Sequence, residues 1–379
     1  MRIAQIAPPW LPVPPPKYGG TELVVSYLTE ELVRRGHEVT LFAPADSKTS
    51  ANLFSSLPKS LRGRIDFKSK SLFPMLQYIE CFARAGQFDM IHNHGQFETF
   101  FLAELIKTPV VHTIHGSYDG LTTSPDRMQT LTRFKNHNFV SISGAQRRGF
   151  PELNYAGTVF NGINIHEFNY SKKKGNYLFW ISRMAPDKGP IDAIKAAQKL
   201  KMELKISAAI NSVNLEYYQN KVKPLIDGKL IKFNGEVAHK DKSKVYKNAL
   251  CTLFPIHWEE PFGLVMIESM ACGTPVIAYN RGSVSEVVRD GVTGFIIDPD
   301  NKNRPKKGSW VIKKQGIAGL VEAVRRVGEI DRQMCRKHVE ENFTVNRMVD
   351  RYEKIYEKIL GQIKEKNKSN TVLADYSFL

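Results

Sequence analysis

Disulfide chemistry is the first thing this sequence lacks. Its 379 residues hold four cysteines, Cys81, Cys251, Cys272 and Cys335, far apart and without a C-x-x-C pair. That spacing argues against a disulfide framework or a thiolate zinc site and suits a reducing compartment. Long hydrophobic runs are missing too, since none approaches the ~18 apolar residues of a membrane span. The start does not read as a secretory signal: the apolar stretch after Met1 is short, only Arg2 is basic, and prolines between Pro8 and Pro16 interrupt any helix. A cytoplasmic protein is expected, with peripheral attachment at the inner membrane face as an extension of that expectation. Basic residues interleaved with aromatics, the pattern that stacks nucleic-acid bases, are also absent. No nucleic-acid partner is therefore expected, although the formal net charge is +16. That excess, with small clusters at Lys172-Lys173-Lys174, Lys306-Lys307 and Lys313-Lys314, fits solvated surface, weak attraction to an anionic membrane, or an anionic donor.

What the chain does have is apolar material in short, regular pieces. Hydrophobic residues make up 42% and charged residues 24%, enough for two cores of roughly 150–200 residues each. Residues 2–7 and 38–43 read as strands, with a helix between them from Thr21 to Gly36. Val24, Tyr27, Leu28 and Leu32 give that helix one apolar face, Thr21 is a candidate N-cap, and Glu22 adds negative charge to its first turn. Such a β-α-β unit implies parallel strands and a right-handed crossover. Further strands are expected at 89–94, 109–115, 138–143 and 158–162. After the polar break at 172–176 the series restarts at 177–182, 204–210, 230–235, 251–256, 275–279 and 294–298. The fold class is α/β, with two doubly wound domains, 1–166 and 167–346. A helix from about 347, with Val349, Tyr352, Ile355, Tyr356 and Ile359 on one side, closes the chain.

The densest chemical signal is EPFGLVMIESMACGTPVIA, residues 260–278. A Pro-Phe-Gly loop opens a helix, so the amides of Phe262, Gly263 and Leu264 are candidates to hold phosphate with unpaired N–H groups and the helix dipole. Gly263 would let a ligand approach the backbone. Glu260 and Glu268 could flank one elongated ligand, each offering paired acceptors to hydroxyls, or could simply be exposed acids at a helix start. Gly19-Gly20 before the first helix is a weaker anion signal, since a turn needs glycines too. Arg183 supplies a planar fork and Lys188 a point charge near the end of another strand, suited to a diphosphate or merely to solvent. The histidines of HNHG (His92, His94) and HTIHG (His112, His115) raise the question of zinc, but no carboxylate or cysteine completes a ligand set. Asp298 and Asp300 match a D-x-D pattern in a strand-ending turn, where the match is taken as accidental.

The 260–278 segment closely resembles the retaining glycosyltransferases of family 4, which have the GT-B fold: two facing Rossmann-like domains with a cleft between them. The resemblance extends to the KYGGTE segment at 17–22, to ISRMAPDKG at 181–189 and to NGI at 161–163, and covers nearly the whole chain. It implies that Glu260 contacts hydroxyls of a donor sugar and that Glu268 holds the ribose. Arg183 and Lys188 would clasp the diphosphate, with an amide near Gly20 at its distal phosphate. His115 would lie beside the sugar, and backbone groups near Glu236 and Val237 beside the base. It further implies that the last helix returns to the N-terminal domain. The expected reaction moves a sugar from a nucleoside diphosphate to a hydroxyl acceptor of unknown class, with retention, same-face displacement and neither cofactor nor metal. UDP is slightly favoured over GDP. A non-catalytic nucleotide-sugar-binding protein and a GT-B phosphorylase are the alternatives. The acceptor side is expected from residues 44–88 and 117–137, where Lys59, Arg62, Arg64, Lys68 and Lys70 form a basic stretch.

Overall fold

The computed structural model describes residues 1–62, 72–95, 97–118, 124–300 and 308–375, with side chains described up to residue 365. Arg64, Lys68, Lys70, Lys306, Lys307 and residues 376–379 lie outside these residues. The first half runs β1 (Arg2–Ile6), α1 (Gly20–Arg34), β2 (Glu38–Phe42), β3 (Asn52–Phe54), α2 (Leu72–Ala83), β4 (Met90–Asn93), α3 (Glu98–Ala103), β5 (Val110–Thr113), α4 (Pro125–Arg133), β6 (Asn138–Ser141), α5 (Gly144–Arg147) and β7 (Tyr155–Thr158). The second half runs β8 (Tyr177–Arg183), α6 (Pro190–Leu200), β9 (Leu204–Ala209), the single turn α7 (Leu215–Tyr217), β10 (Ile231–Phe233), α8 (His239–Lys247), β11 (Ala249–Phe254), α9 (Leu264–Ala271), β12 (Val276–Tyr279), α10 (Val284–Val287), β13 (Gly294–Ile297), α11 (Gly316–Arg326), α12 (Arg332–Asn342) and α13 (Val345–Asp375).

Two parallel sheets result, in the orders β3-β2-β1-β4-β5-β6-β7 and β10-β9-β8-β11-β12-β13. Each winds outward in both directions from its first strand, as the α/β expectation required, and β4, β12 and β13 are buried along their whole length because helices cover both faces. Leu23, Val24, Leu28 and Leu32 of α1 join the core on one side of β1. The chain leaves the first sheet and comes back to it at one place. Ile163 and Thr344 form a parallel bridge there, and α13 then lies against α1 and β7. Arg35, just past α1, donates to Asp350 at 2.7 Å and to Glu353 at 2.5 Å, and His37 meets Glu353 at 2.7 Å. Tyr352 and Tyr356 of α13 are fully buried.

Two local expectations are corrected, and one short strand was not expected at all. The strand expected at 158–162 is β7, at 155–158, because Gly157 hides its first half from a reading based on apolar runs. Edge strand β3 carries only three residues and no alternating pattern. The N-cap of α1 is Gly19, at φ 156°, so Thr21 lies inside the helix and caps nothing. A side chain on Gly19 would overlap Pro15, its Cβ falling 2.7 Å from the proline Cβ.

Glu22 does sit in the first turn of α1, but buried. A favourable helix end offers an exposed carboxylate only ~0.3–1 kcal/mol, and burial outweighs it. Burial raises the Glu22 carboxyl from 4.5 to about 7, with its own backbone N–H and Arg62 pulling the other way. A raised carboxyl keeps its proton in the folded chain where the unfolded chain has lost it. Stability therefore falls as pH rises from the unfolded value towards 7 and is level above that. Glu22→Gln removes the slope: chemical denaturation should show the variant gaining on the parent chain by up to ~3 kcal/mol between pH 4.5 and pH 8. A difference that does not change with pH contradicts this.

Candidate functional site

The strand order of each sheet reverses once, between β1 and β4 and between β8 and β11, and loops leaving the carboxyl ends of these strands meet face to face. Gly19 and Gly20 follow β1, His94 follows β4, and His115 follows β5. Opposite them, Arg183 ends β8, Glu236 and Val237 follow β10, and Glu260 to Leu264 follow β11. One cavity of about 250 Å³ lies between them. Its lining includes Gly19, Gly20, His115, Arg183, Lys188 and Glu236. Val237, Glu260, Phe262, Gly263, Leu264 and Glu268 line it as well, so every site residue singled out from the sequence borders the same space.

The loop before α9 is pinned from behind. Glu259 accepts from the Gly282 amide at 2.6 Å and from Arg281 at 3.1 Å, while Ser283 donates through its amide to the Glu260 carbonyl and through its hydroxyl to that of Phe262. Gly263 has φ 82°, and a Cβ there would lie 2.7 Å from Met266 Cε. Backbone geometry and packing within the loop, not the approach of a ligand, therefore demand glycine at this position. Gly263, Leu264 and Val265, where α9 begins, border the cavity. The N-terminus of α1 comes from the other side so closely that a Cβ on Gly20 would stand 3.4 Å from Leu264. Two helix N-termini from different sheets thus converge, each bringing unpaired N–H groups and about half a positive charge.

Charged side chains surround this point. Lys188 Nζ lies 2.9 Å from Glu260 Oε2, and Trp258 Nε1 donates to the same oxygen at 2.9 Å. The ammonium also sits 4.0 Å from the Trp258 ring centre. Lys188 and Glu260 are only 8% and 12% exposed, so this is a nearly buried pair. Arg183 is more open and 3.8 Å from Asp187. Glu268 is buried inside α9, where Lys242 donates to one oxygen and Tyr246 to the other, both at 2.8 Å. Glu236 uses its side chain across the cleft, accepting from the Tyr18 amide at 2.9 Å.

His115 borders the cavity, and burial pushes its imidazole down to about 4, so the ring is neutral near pH 7. His94 lies 3.0 Å behind it. His92 and His112 are fully buried, with His92 bonded to Tyr356 and Thr113 and His112 to Asn93 and His137. Among the described residues, no three His, Cys, Asp or Glu are grouped to hold a metal ion. Asp298 of the D-x-D pattern accepts from the Gly308 amide at 2.7 Å and from Trp310 at 3.0 Å, which holds a loop together.

Sequence reasoning missed Trp258, Lys242, Tyr246, Tyr18, Asn161 and Ser207. Trp258 stands two positions before Glu260, a spacing that could have suggested a shared side. Lys242 is hidden among the four lysines of α8, which nothing in their spacing distinguishes. Asn161 Oδ1 and Ser207 Oγ are buried on the cavity lining with no hydrogen-bond partner among the described residues, which marks them as groups a ligand could satisfy.

Comparison with known proteins agrees with this geometry. The model of glycosyl transferases group 1 matches residues 163–329, and that of glycosyltransferase family 4 matches residues 18–164, so the two together span 18–329. An uncharacterized glycosyltransferase of Methanocaldococcus jannaschii is 24% identical over 83% of this chain and 88% of its own. Among solved structures, sucrose-phosphate synthase from Thermosynechococcus elongatus superposes with TM-score 0.77 at 18% identity, covering 96% of this chain and all of that one. HepE of Anabaena in complex with UDP and glucose gives TM-score 0.71 at 17% identity, over 94% and 100% of the two chains. With both sheets, the shared cleft and both family models in agreement, the chain belongs to the family 4 glycosyltransferases of the GT-B fold, which transfer a sugar from a nucleotide-sugar.

Proposed function

We propose that the cleft binds a nucleoside diphosphate sugar, UDP-linked in preference to GDP-linked, and transfers the sugar with retention to a hydroxyl acceptor without a metal ion. The observation that carries this reading is the meeting of the α1 and α9 N-termini beside Arg183 and Lys188. Two helix ends and two cations offer a diphosphate what a divalent ion otherwise would: fixed positive charge that needs no reorganisation as the leaving group gains charge. The binding of UDP and glucose by HepE supports the choice of nucleotide.

Glu260 orients the sugar. Its Oε2 is held by Lys188 and Trp258, so the carboxylate is fixed in position while Oε1 can accept from sugar hydroxyls. Glu268 takes the ribose diol: among the described residues each of its oxygens has one partner, and it keeps a lone pair for a second. His115 lies beside the sugar, and the backbone at Glu236 and Val237 beside the base, with Ser207 close at hand. The acceptor hydroxyl attacks from the face the diphosphate leaves, and a diphosphate oxygen takes its proton, so no side chain serves as nucleophile. Holding the acceptor in line supplies much of the rate. The domains 1–166 and 167–346 would close about the paired crossing at Ile163 and Thr344.

The two carboxylates should fail differently. Glu260→Gln is expected to lower kcat by ~10²–10³ while the Kd for UDP, read by calorimetry, stays within about twofold. Glu268→Ala should weaken UDP binding about tenfold or more in a chain that still melts cooperatively. Normal turnover and normal UDP binding in both variants would sink the assignment.

A membrane surface is a second partner. Leu72, Phe73, Leu76 and Ile79 on the outer face of α2 are 71%, 42%, 50% and 48% exposed, at the spacing of one helical stripe. Lys59 and Arg62 are exposed, and the chain carries a net +16. Apolar side chains on a basic protein fit the boundary of an anionic bilayer. Vesicles rich in phosphatidylglycerol should sediment the protein at low salt and release it at high salt. Combining Leu76→Glu with Ile79→Glu should abolish the effect. Binding that survives the double substitution, or no binding at low salt, contradicts this.

A further inference from the structure

Behind His115 runs a chain of buried polar side chains that the transfer reaction outlined above does not use. Gln5 on β1, His92 on β4, Thr113 on β5 and His94 just past β4 are all buried. Their outer end is α13. The Tyr356 hydroxyl lies 2.6 Å from His92 Nδ1 and 3.5 Å from Gln5 Nε2, and the Tyr352 hydroxyl lies 3.2 Å from Thr113 Oγ1. His92 Nε2 is 2.8 Å from the same Thr113 oxygen. The inner end is the cleft: Gln5 Oε1 meets His94 Nε2 at 2.8 Å, and His94 Nδ1 meets His115 Nε2 at 3.0 Å.

The protons along the inner half can be counted. Burial holds both His94 and His115 below the ordinary imidazole range, so each ring carries one N–H. An amide carbonyl oxygen can only accept, so His94 Nε2 bears the hydrogen that faces Gln5. Its Nδ1 is then bare and must accept from His115, whose single hydrogen is therefore on Nε2. No hydrogen remains for His115 Nδ1.

We infer that Gln5 and His94 are positioning residues that lock His115 in the Nε2–H tautomer and present its bare Nδ1 to the cleft as a hydrogen-bond acceptor. Placing a sugar hydroxyl on that nitrogen rests on the proposed function; the tautomer lock does not. A neutral acceptor reads a hydroxyl on the donor sugar and does not oppose positive charge growing at the anomeric carbon. It also leaves the diphosphate to Arg183, Lys188 and the two helix ends. The last helix thereby takes part in the site without reaching it, since Tyr356 holds the amide face of Gln5 from behind.

The test labels the histidines of the full chain with ¹⁵N and identifies the His115 signals by their loss in His115→Gln. Between pH 6 and pH 8, Nδ1 should resonate as an unprotonated ring nitrogen and Nε2 as a protonated one. Gln5→Met removes the accepting oxygen and should give a mixture of both tautomers, with kcat falling roughly fivefold to tenfold and KM little changed. His94→Phe should release the tautomer in the same way and serves if Gln5→Met does not fold. A proton on His115 Nδ1 in the parent chain, or a tautomer unmoved in a folded Gln5→Met chain, overturns the inference. A locked tautomer combined with normal transfer by His115→Gln supports the lock and overturns the sugar contact instead.

Discussion

Lys188 and Glu260 stand 2.9 Å apart in a nearly closed part of the cleft, and most of the site takes its form from that pair. Neither charge could remain so far from water alone, because a buried ion without a partner is strongly destabilising. Glu260 is fixed by the turn that Gly282 and Ser283 clamp, and Lys188 by the short turn ending at Gly189. Trp258 then supplies a second hydrogen bond to the carboxylate and a ring face to the ammonium. An ammonium has three N–H groups, and one of them satisfies Glu260. The same lysine can therefore hold the carboxylate in place and still meet a diphosphate oxygen. A sugar bound there would find its orienting carboxylate and its leaving-group cation already in register.

Contacts across the cleft keep the two halves in that register. Glu236 holds the Tyr18 amide, and Glu286 accepts from the amides of Gly144 and Ala145 at 2.7 and 2.5 Å. Tyr27 of α1 donates to Glu167, which also pairs with His239 at 2.7 Å. These links are few and polar, the kind that can be exchanged when domains move. A larger contact is made by α13, which lies along α1 and buries Tyr352 and Tyr356 against His92, so the returning helix ties the end of the chain to its beginning.

Much of this could be read from the sequence, for a physical reason. Strands buried on both faces write themselves as short apolar runs, and β8, β9, β11, β12 and β13 fall where such runs stand. Loops that open helices carry glycine and turn residues at fixed offsets, so the loops at 17–22 and 260–264, both of which border the cavity, were visible. Edge strand β3 and glycine-containing β7 left no such trace. Burial was equally invisible: Glu22 looked like a helix-end charge and Thr21 like a cap, because nothing local says that α1 begins inside a cleft. The roles of Lys242, Tyr246 and the relay from Tyr356 depend on which elements the fold brings together, and no spacing in the chain records that.

The proposed function depends on one placement, that of the diphosphate between the ends of α1 and α9. A crystal structure of the protein with UDP bound tests it most directly. It should place phosphate oxygens within ~3 Å of the Leu264 amide and of the Arg183 guanidinium, and the ribose hydroxyls on Glu268. A nucleotide seated elsewhere, or one whose diphosphate avoids both helix ends, would contradict the account.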